Sequence, residues 1–144
     1  MSLTVTVVAP ASREATWEVW SDLAGWPRWN PMCVSAEVHG DLVPGAGLAL
    51  RLVHPRGRDF YTRPRLTVVE PPERIAWEAT APGLRVTTET TLEAEPDGTR
   101  VTVMSRTSGR MGFALRMMAL GDRPLARMYA AMLNALVADL KAAA

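Results

Sequence analysis

Leu125-Ala126-Arg127-Met128-Tyr129-Ala130-Ala131-Met132-Leu133-Asn134-Ala135-Leu136-Val137-Ala138-Asp139-Leu140 is the stretch whose reading decides the fold. From Leu125, apolar residues recur at Met128, Tyr129, Met132, Leu133, Leu136, Val137 and Leu140. Steps of three and four place these side chains on one face of a helix, because an α-helix turns once in about 3.6 residues. Arg127, Asn134 and Lys141 fall on the opposite side, with Asp139 nearer the edge of the stripe. A helix from Asp122 to Ala142 spans about 30 Å at ~1.5 Å per residue. A helix this long and this apolar needs a large partner surface. The chain before it reads mostly as strands, which predicts a sheet wrapped around the helix with a cavity between them.

Composition bounds the rest. The chain has 144 residues, 48% hydrophobic and 22% charged, which suits one globular domain over residues 1–144 and is too apolar for disorder. A net charge of +1 exerts no long-range pull on nucleic acid or an anionic membrane, so neither is expected as a partner. The one cysteine, Cys33, excludes an internal disulfide and fits a reducing compartment. The apolar N-terminus has no positive segment before it and is interrupted at Pro10, so it reads as a strand rather than a signal peptide. No apolar run approaches the ~20 residues of a membrane-spanning helix. A cytoplasmic protein without membrane insertion, monomeric or homodimeric, is expected.

In chain order, Leu3, Val5 and Val7 alternate with Thr4 and Thr6 in a half-buried strand. Ser12 caps a helix from Arg13, whose inner face is expected to carry Ala15, Val19 and Leu23, with Trp20 beside it and Trp17 further round. Trp26-Pro27-Arg28-Trp29 reads as one helical turn with both indoles on one side. Six strands follow: Cys33 to His39, Leu48 to His54, Asp59 to Val69, Arg74 to Thr80, Leu84 to Ala94 and Thr99 to Thr107. The breaks between them carry Pro and Gly turn chemistry, which predicts an antiparallel meander, with a bulge at Pro64. Gly121-Asp122-Arg123-Pro124 breaks the final helical region, leaving Gly109 to Leu120 as a separate piece read as a mobile gate.

Strand phase assigns the inner face. Leu48, Leu50, Leu52 and His54 face one way against Arg51, and Ile75 shares a face with Trp77. Val86, Thr88, Thr90, Leu92 and Ala94 point inward from the next strand, and Val101, Val103, Ser105 and Thr107 from the last. A plain core has little use for Thr88, Thr90, Ser105 and His54 together; a cavity holding water or ligand satisfies them, and frayed strand ends or bonds to backbone are the alternative. Tyr61 and Arg63 alternate away from that face, unless the bulge at Pro64 rotates either of them.

Little in the chain carries overt chemistry. His39, His54 and Cys33 lack metal-ligand spacing, so no metal site is expected and no cofactor is called for. Cys33 reads as a small apolar strand residue and Gly45-Ala46-Gly47 as a hairpin turn. His54 is the one candidate for acid–base work, since its unperturbed pKa lies near neutrality.

Three segments carry a resemblance. Trp20-Ser21-x-Leu23-x-x-Trp26-Pro27-x-Trp29-Asn30-Pro31, Glu70-Pro71-Pro72-Glu73-Arg74-Ile75-Ala76-Trp77 and Asp97-Gly98-Thr99-Arg100-Val101-Thr102 resemble the polyketide cyclase/dehydratase-like branch of the START/Bet v 1 (SRPBCC) superfamily. The resemblance covers essentially the whole chain. It implies an α+β helix-grip fold, with a seven-stranded antiparallel sheet around a long C-terminal helix, two short helices after the first strand and a ligand cavity between sheet and helix. It places Trp26 and Trp29 at the cavity mouth, where they either touch ligand or plug the open end of the sheet. Many relatives carry a histidine or other bulky polar residue in the next-to-last strand and an acidic one in the last. Thr90 and Ser105 stand at those positions here, which weakens the case for an ionisable catalytic pair.

The expected role is binding of a small hydrophobic molecule, a lipid, polyketide or aromatic compound. Trp26, Trp29, Leu50, Leu52, His54 and Trp77 are the expected ligand contacts on one side. Thr88, Thr90, Ser105, Leu125, Met128 and Met132 are those on the other. The alternative is a metal-free cyclase or dehydratase in which His54 moves protons and Thr88, Thr90 or Ser105 bonds substrate oxygens. A third reading, a protein-interaction module like the co-chaperone relatives, is kept.

Overall fold

Alternation along β1 (Ser2–Ala9) buries Leu3 and Ala9 and exposes the residues between them in part or whole. The computed structural model describes residues 2–53, 59–110 and 122–144. After β1, the Ser12 side chain accepts a hydrogen bond from the Ala15 N–H and caps α1 (Arg13–Ser21). The Thr99 hydroxyl donates to the Ala11 carbonyl at 2.8 Å, tying the entry of α1 to the sheet. So anchored, α1 turns Thr16, Trp17 and Trp20 into the core. This corrects the expected face: Ala15 and Val19 are half-buried, and Trp17, read as the less central tryptophan, is buried. A 3-10 turn (Leu23–Gly25) leads into α2 (Trp26–Trp29), the expected single turn. Asn30 ends α2 and turns the chain toward β2, its side-chain oxygen accepting from the Met32 N–H at 3.0 Å.

The strands that follow match the sequence reading to within about a residue at most ends. They are β2 (Cys33–His39), β3 (Gly47–Val53), β4 (Asp59–Thr62), β5 (Arg65–Glu70), β6 (Arg74–Ala81), β7 (Leu84–Glu95) and β8 (Gly98–Ser108). All pair antiparallel in the order β1-β8-β7-β6-β5-β3-β2, with β4 also on β3. β4 and β5 lie in succession along β3, through Leu50↔Thr62 and Gly47↔Arg65, so the sheet has seven tracks with one broken at Arg63-Pro64. The expected bulge is therefore a full break. Proline cannot donate to the ladder, and Pro64 instead offers its carbonyl to the Leu48 N–H at 2.8 Å. Gly98 starts β8 at φ +149°, where a Cβ would stand 1.9 Å from the Ala9 carbonyl oxygen; only glycine lets β8 begin this close to the end of β1.

The final helix, α3 (Asp122–Ala143), lies along β1 and inside the curl of the sheet. Most of its stripe is buried as read: Met128, Met132, Leu133 and Leu136 are fully buried and Tyr129 and Leu140 nearly so, Leu125 and Val137 are half-buried, and Arg127, Asn134 and Lys141 are exposed. Arg28 of α2 donates to Asp139 from both terminal guanidinium nitrogens, at 2.9 and 3.2 Å, joining the far end of the helix to the short one. No described helix is long and apolar enough to cross a membrane. The expected gate, Gly109 to Leu120, lies almost wholly outside the described residues, as does the Gly121 break.

The inner face of the sheet follows the predicted phase, except that Ala94 is exposed near the end of β7. Thr90 is fully buried between its partners Ile75 and Val103, and its hydroxyl has no hydrogen-bond partner. A buried unpaired hydroxyl costs roughly 1–3 kcal/mol. Thr90→Val keeps the branched shape and removes the polar atom, so a stability gain of about 1 kcal/mol is expected, read as a Tm rise of about 3–5 °C in thermal unfolding.

Candidate functional site

Between α3 and the sheet lies a cavity of about 370 Å³, at the small end of the ~300–1,000 Å³ typical of ligand pockets. Strand alternation supplies one wall: Leu50 and Leu52 from β3, Trp77 from β6, Val86 and Thr88 from β7, Ser105 and Thr107 from β8. Helical spacing supplies the other, with Leu125, Met128, Tyr129 and Met132 in one row along α3. Trp26 closes one end. Its indole is 1% exposed and packs on Trp20, Trp77 and Trp29 at centroid distances of 4.7, 6.0 and 6.1 Å. The Trp26 N–H donates to the Trp20 carbonyl at 2.8 Å, so the ring presents only its apolar area to the cavity. At the other end, exposed Tyr61, Arg63, Thr80 and Ala81 mark the opening to solvent.

The chemistry of the lining is narrow. Thr88 and Ser105 are cross-strand partners, and the Tyr129 hydroxyl reaches Thr88 at 3.4 Å. Burial pushes the Tyr129 phenol above its ordinary pKa, opposed in part by hydrogen bonds to Thr88 and Ser105. It therefore stays protonated at neutral pH and acts as a hydrogen-bonding group rather than a base. Among the described lining residues there is no Asp, Glu or His, and the one charge is Arg63 at the mouth. Cys33 stands outside the lining. Burial pushes its thiol up to about 11, and its Sγ–H points to the Ser35 carbonyl at 3.4 Å, which leaves almost no thiolate at neutral pH. No group of three or more His, Cys, Asp or Glu able to hold a metal ion occurs among the described residues.

A family described as "Polyketide cyclase / dehydrase and lipid transport" matches residues 1–141. The chain belongs to this family. Solved structures carry the same fold. ZhuI aromatase/cyclase from Streptomyces sp. R1128 is 19% identical, with a TM-score of 0.77 over 98% of this chain and 93% of that one. The di-domain ARO/CYC proteins BexL, from the BE-7585A biosynthetic pathway, and StfQ, from the steffimycin pathway, are 20% and 14% identical, with TM-scores of 0.76 and 0.77. This chain is covered over 95% and 99% of its length in those two comparisons, yet spans only about half of the di-domain proteins, 48% of BexL and 52% of StfQ. At these identities the likeness establishes the helix-grip fold and nothing finer. No curated protein matches the chain.

Within this family fold the structure brings together most of the predicted site. Trp26, Leu50, Leu52, Trp77, Thr88, Ser105, Leu125, Met128 and Met132 all line the cavity. Trp29 does not: it stands behind Trp26, half-buried, and plugs the end of the sheet. Thr90 does not either, because the void ends before the next inward position of β7. His54 lies outside the described residues. Tyr61 and Arg63 both stand at the rim of the mouth: Tyr61 keeps the outward phase read for it, opposite Arg51, while Arg63 falls where the ladder breaks at Arg63-Pro64 and strand phase is lost. Tyr61 also carries the Arg51 guanidinium 5.4 Å from its ring centroid. Tyr129 belongs to the apolar stripe by spacing, yet its hydroxyl faces Thr88 in the polar part of the wall. The signal was available: a tyrosine inside a methionine-rich stripe brings a hydroxyl that needs partners.

Proposed function

We propose that the chain binds a small, largely hydrophobic molecule, such as a lipid, polyketide or aromatic compound, in the cavity between the sheet and α3. The observation that supports this most directly is a cavity whose described lining is apolar but for hydroxyls and Arg63 at the mouth, without an acid–base pair. Adaptable Met128 and Met132 suit ligands of varied outline. The contacts proposed are the nine lining residues predicted from sequence together with Tyr129. The domain is taken to work as one unit in the cytoplasm, as a monomer or homodimer, without nucleic acid. Native mass spectrometry of freshly purified protein is expected to show a co-purified small mass, and a screen of lipophilic compounds should raise Tm through binding to the folded state. No bound mass and no shift with any chemical class would sink the reading.

A second reading is favoured by the family description, which names cyclase and dehydrase activity alongside lipid transport. In it the same cavity folds a polyketone chain for aldol closure and water loss. The hydroxyls of Thr88, Ser105 and Tyr129 would bond carbonyl or enolate oxygens, and positioning would supply much of the rate. His54 is the proton carrier this reading calls for. Turnover of a confirmed substrate that survives His54→Ala would remove that role.

A further inference from the structure

Among the hydroxyls of the described lining, those of Thr88, Ser105 and Tyr129 cluster together, set among apolar side chains. Thr88 and Ser105 face one another across β7 and β8, and Tyr129 comes down on them from α3. The Thr88 and Tyr129 oxygens are 3.4 Å apart, beyond the ~2.5–3.0 Å of a good O–H···O bond, so this pair holds together loosely. Each hydroxyl has one donor and two lone pairs, so acceptor capacity remains whatever bonds they make among themselves.

No charge among the described lining residues lies at this depth. Among the described lining residues the nearest thing to a counter-charge is Arg63, exposed at the mouth. An anion brought to the hydroxyls would lose its water and gain no opposite charge from the described lining at this depth, whereas an uncharged oxygen loses far less and gains hydrogen bonds. Tyr129, held protonated by burial, is itself neutral.

Resting on the binding reading above, we propose that the cavity selects for a neutral oxygen: its ligand is a compact apolar molecule carrying an uncharged phenol, alcohol or ketone, seated oxygen-inward on Tyr129, Thr88 and Ser105. Anionic analogues of the same skeleton are excluded from that depth.

Naphthalene, 2-naphthol and 2-naphthoate share one ring system and differ only in this feature. Titrated calorimetrically at neutral pH into the wild-type protein, 2-naphthol is expected to bind about tenfold tighter than naphthalene, with 2-naphthoate the weakest. In Tyr129→Phe the ratio of 2-naphthol to naphthalene affinity should fall to within about twofold, and Thr88→Val should move it the same way. Both substitutions keep the side-chain outline, and circular dichroism checks that each variant is folded. Equal affinity for 2-naphthol and naphthalene, tightest binding of 2-naphthoate, or an unchanged ratio in both variants would overturn the selection. Naphthalene binding without any preference would leave the cavity reading standing and the neutral-oxygen reading refuted. Failure of all three compounds to bind would count against both.

Discussion

Trp26→Ala is expected to destabilise the protein by about 3–5 kcal/mol, the range seen when a buried tryptophan is truncated. The indole is 1% exposed and sits at the centre of a group formed with Trp20, Trp29 and Trp77. Truncation removes that ring packing, opens a void continuous with the cavity, and takes away the donor to the Trp20 carbonyl. Part of the space already borders the cavity, so the surrounding side chains have little reason to collapse into it. Trp26→Phe retains a ring but loses the hydrogen bond and should cost roughly 1–3 kcal/mol. Urea unfolding followed by circular dichroism measures both. A Trp26→Ala variant within about 1 kcal/mol of wild type would mean that the aromatic group does not hold α2 to the sheet.

Val86→Trp is expected to do the opposite: to leave stability within about 1 kcal/mol and weaken ligand binding by about 100-fold or more. Val86 is half-buried on β7, between its cross-strand partners Ala79 and Thr107, and lines the cavity toward its mouth. A bulky insertion into a packed core forces strained rotamers, but here the indole has space of about 370 Å³ to enter. It would occupy the volume the ligand needs. The measurement is paired: Tm without ligand, and affinity for naphthalene or for any mass found bound to the purified protein. Wild-type affinity in a folded Val86→Trp variant would show that the ligand sits elsewhere, while a large drop in Tm without ligand would show that the void is not available to a side chain.

The two substitutions separate what was legible in the chain from what was not. Trp26 was singled out by its place in a Trp-Pro-x-Trp turn, and the turn formed as read because four residues between a glycine and an extended asparagine leave few alternatives. Its neighbour Trp29 has the same residue type and the same turn, yet only Trp26 borders the void. Thr88 and Thr90 repeat the lesson on β7. Both are buried on the inner face, two residues apart, but one meets Tyr129 across open space and the other is sealed among packed side chains. Tyr61 and Arg63 differ for another reason: Tyr61, still in the ladder opposite Arg51, points outward as alternation requires, whereas the ladder stops at Arg63-Pro64 and strand phase no longer assigns Arg63 a face.

The sequence by itself determined the order of elements, the buried face of each long strand and the stripe on α3. These follow from local physics: a period of two in strands, about 3.6 in helices, and the chain-breaking effects of proline and glycine. Only the tertiary structure decided which inward residues border empty space and which are packed solid. That depends on how far α3 stands off the curled sheet at each level, where Arg28 and Asp139 fasten one end of the helix and where β4 breaks from β5. Periodicity assigns a side chain to a face. The depth of the void beneath it is set by distances between elements far apart in the chain, such as Thr88 and Tyr129, and no local pattern encodes them.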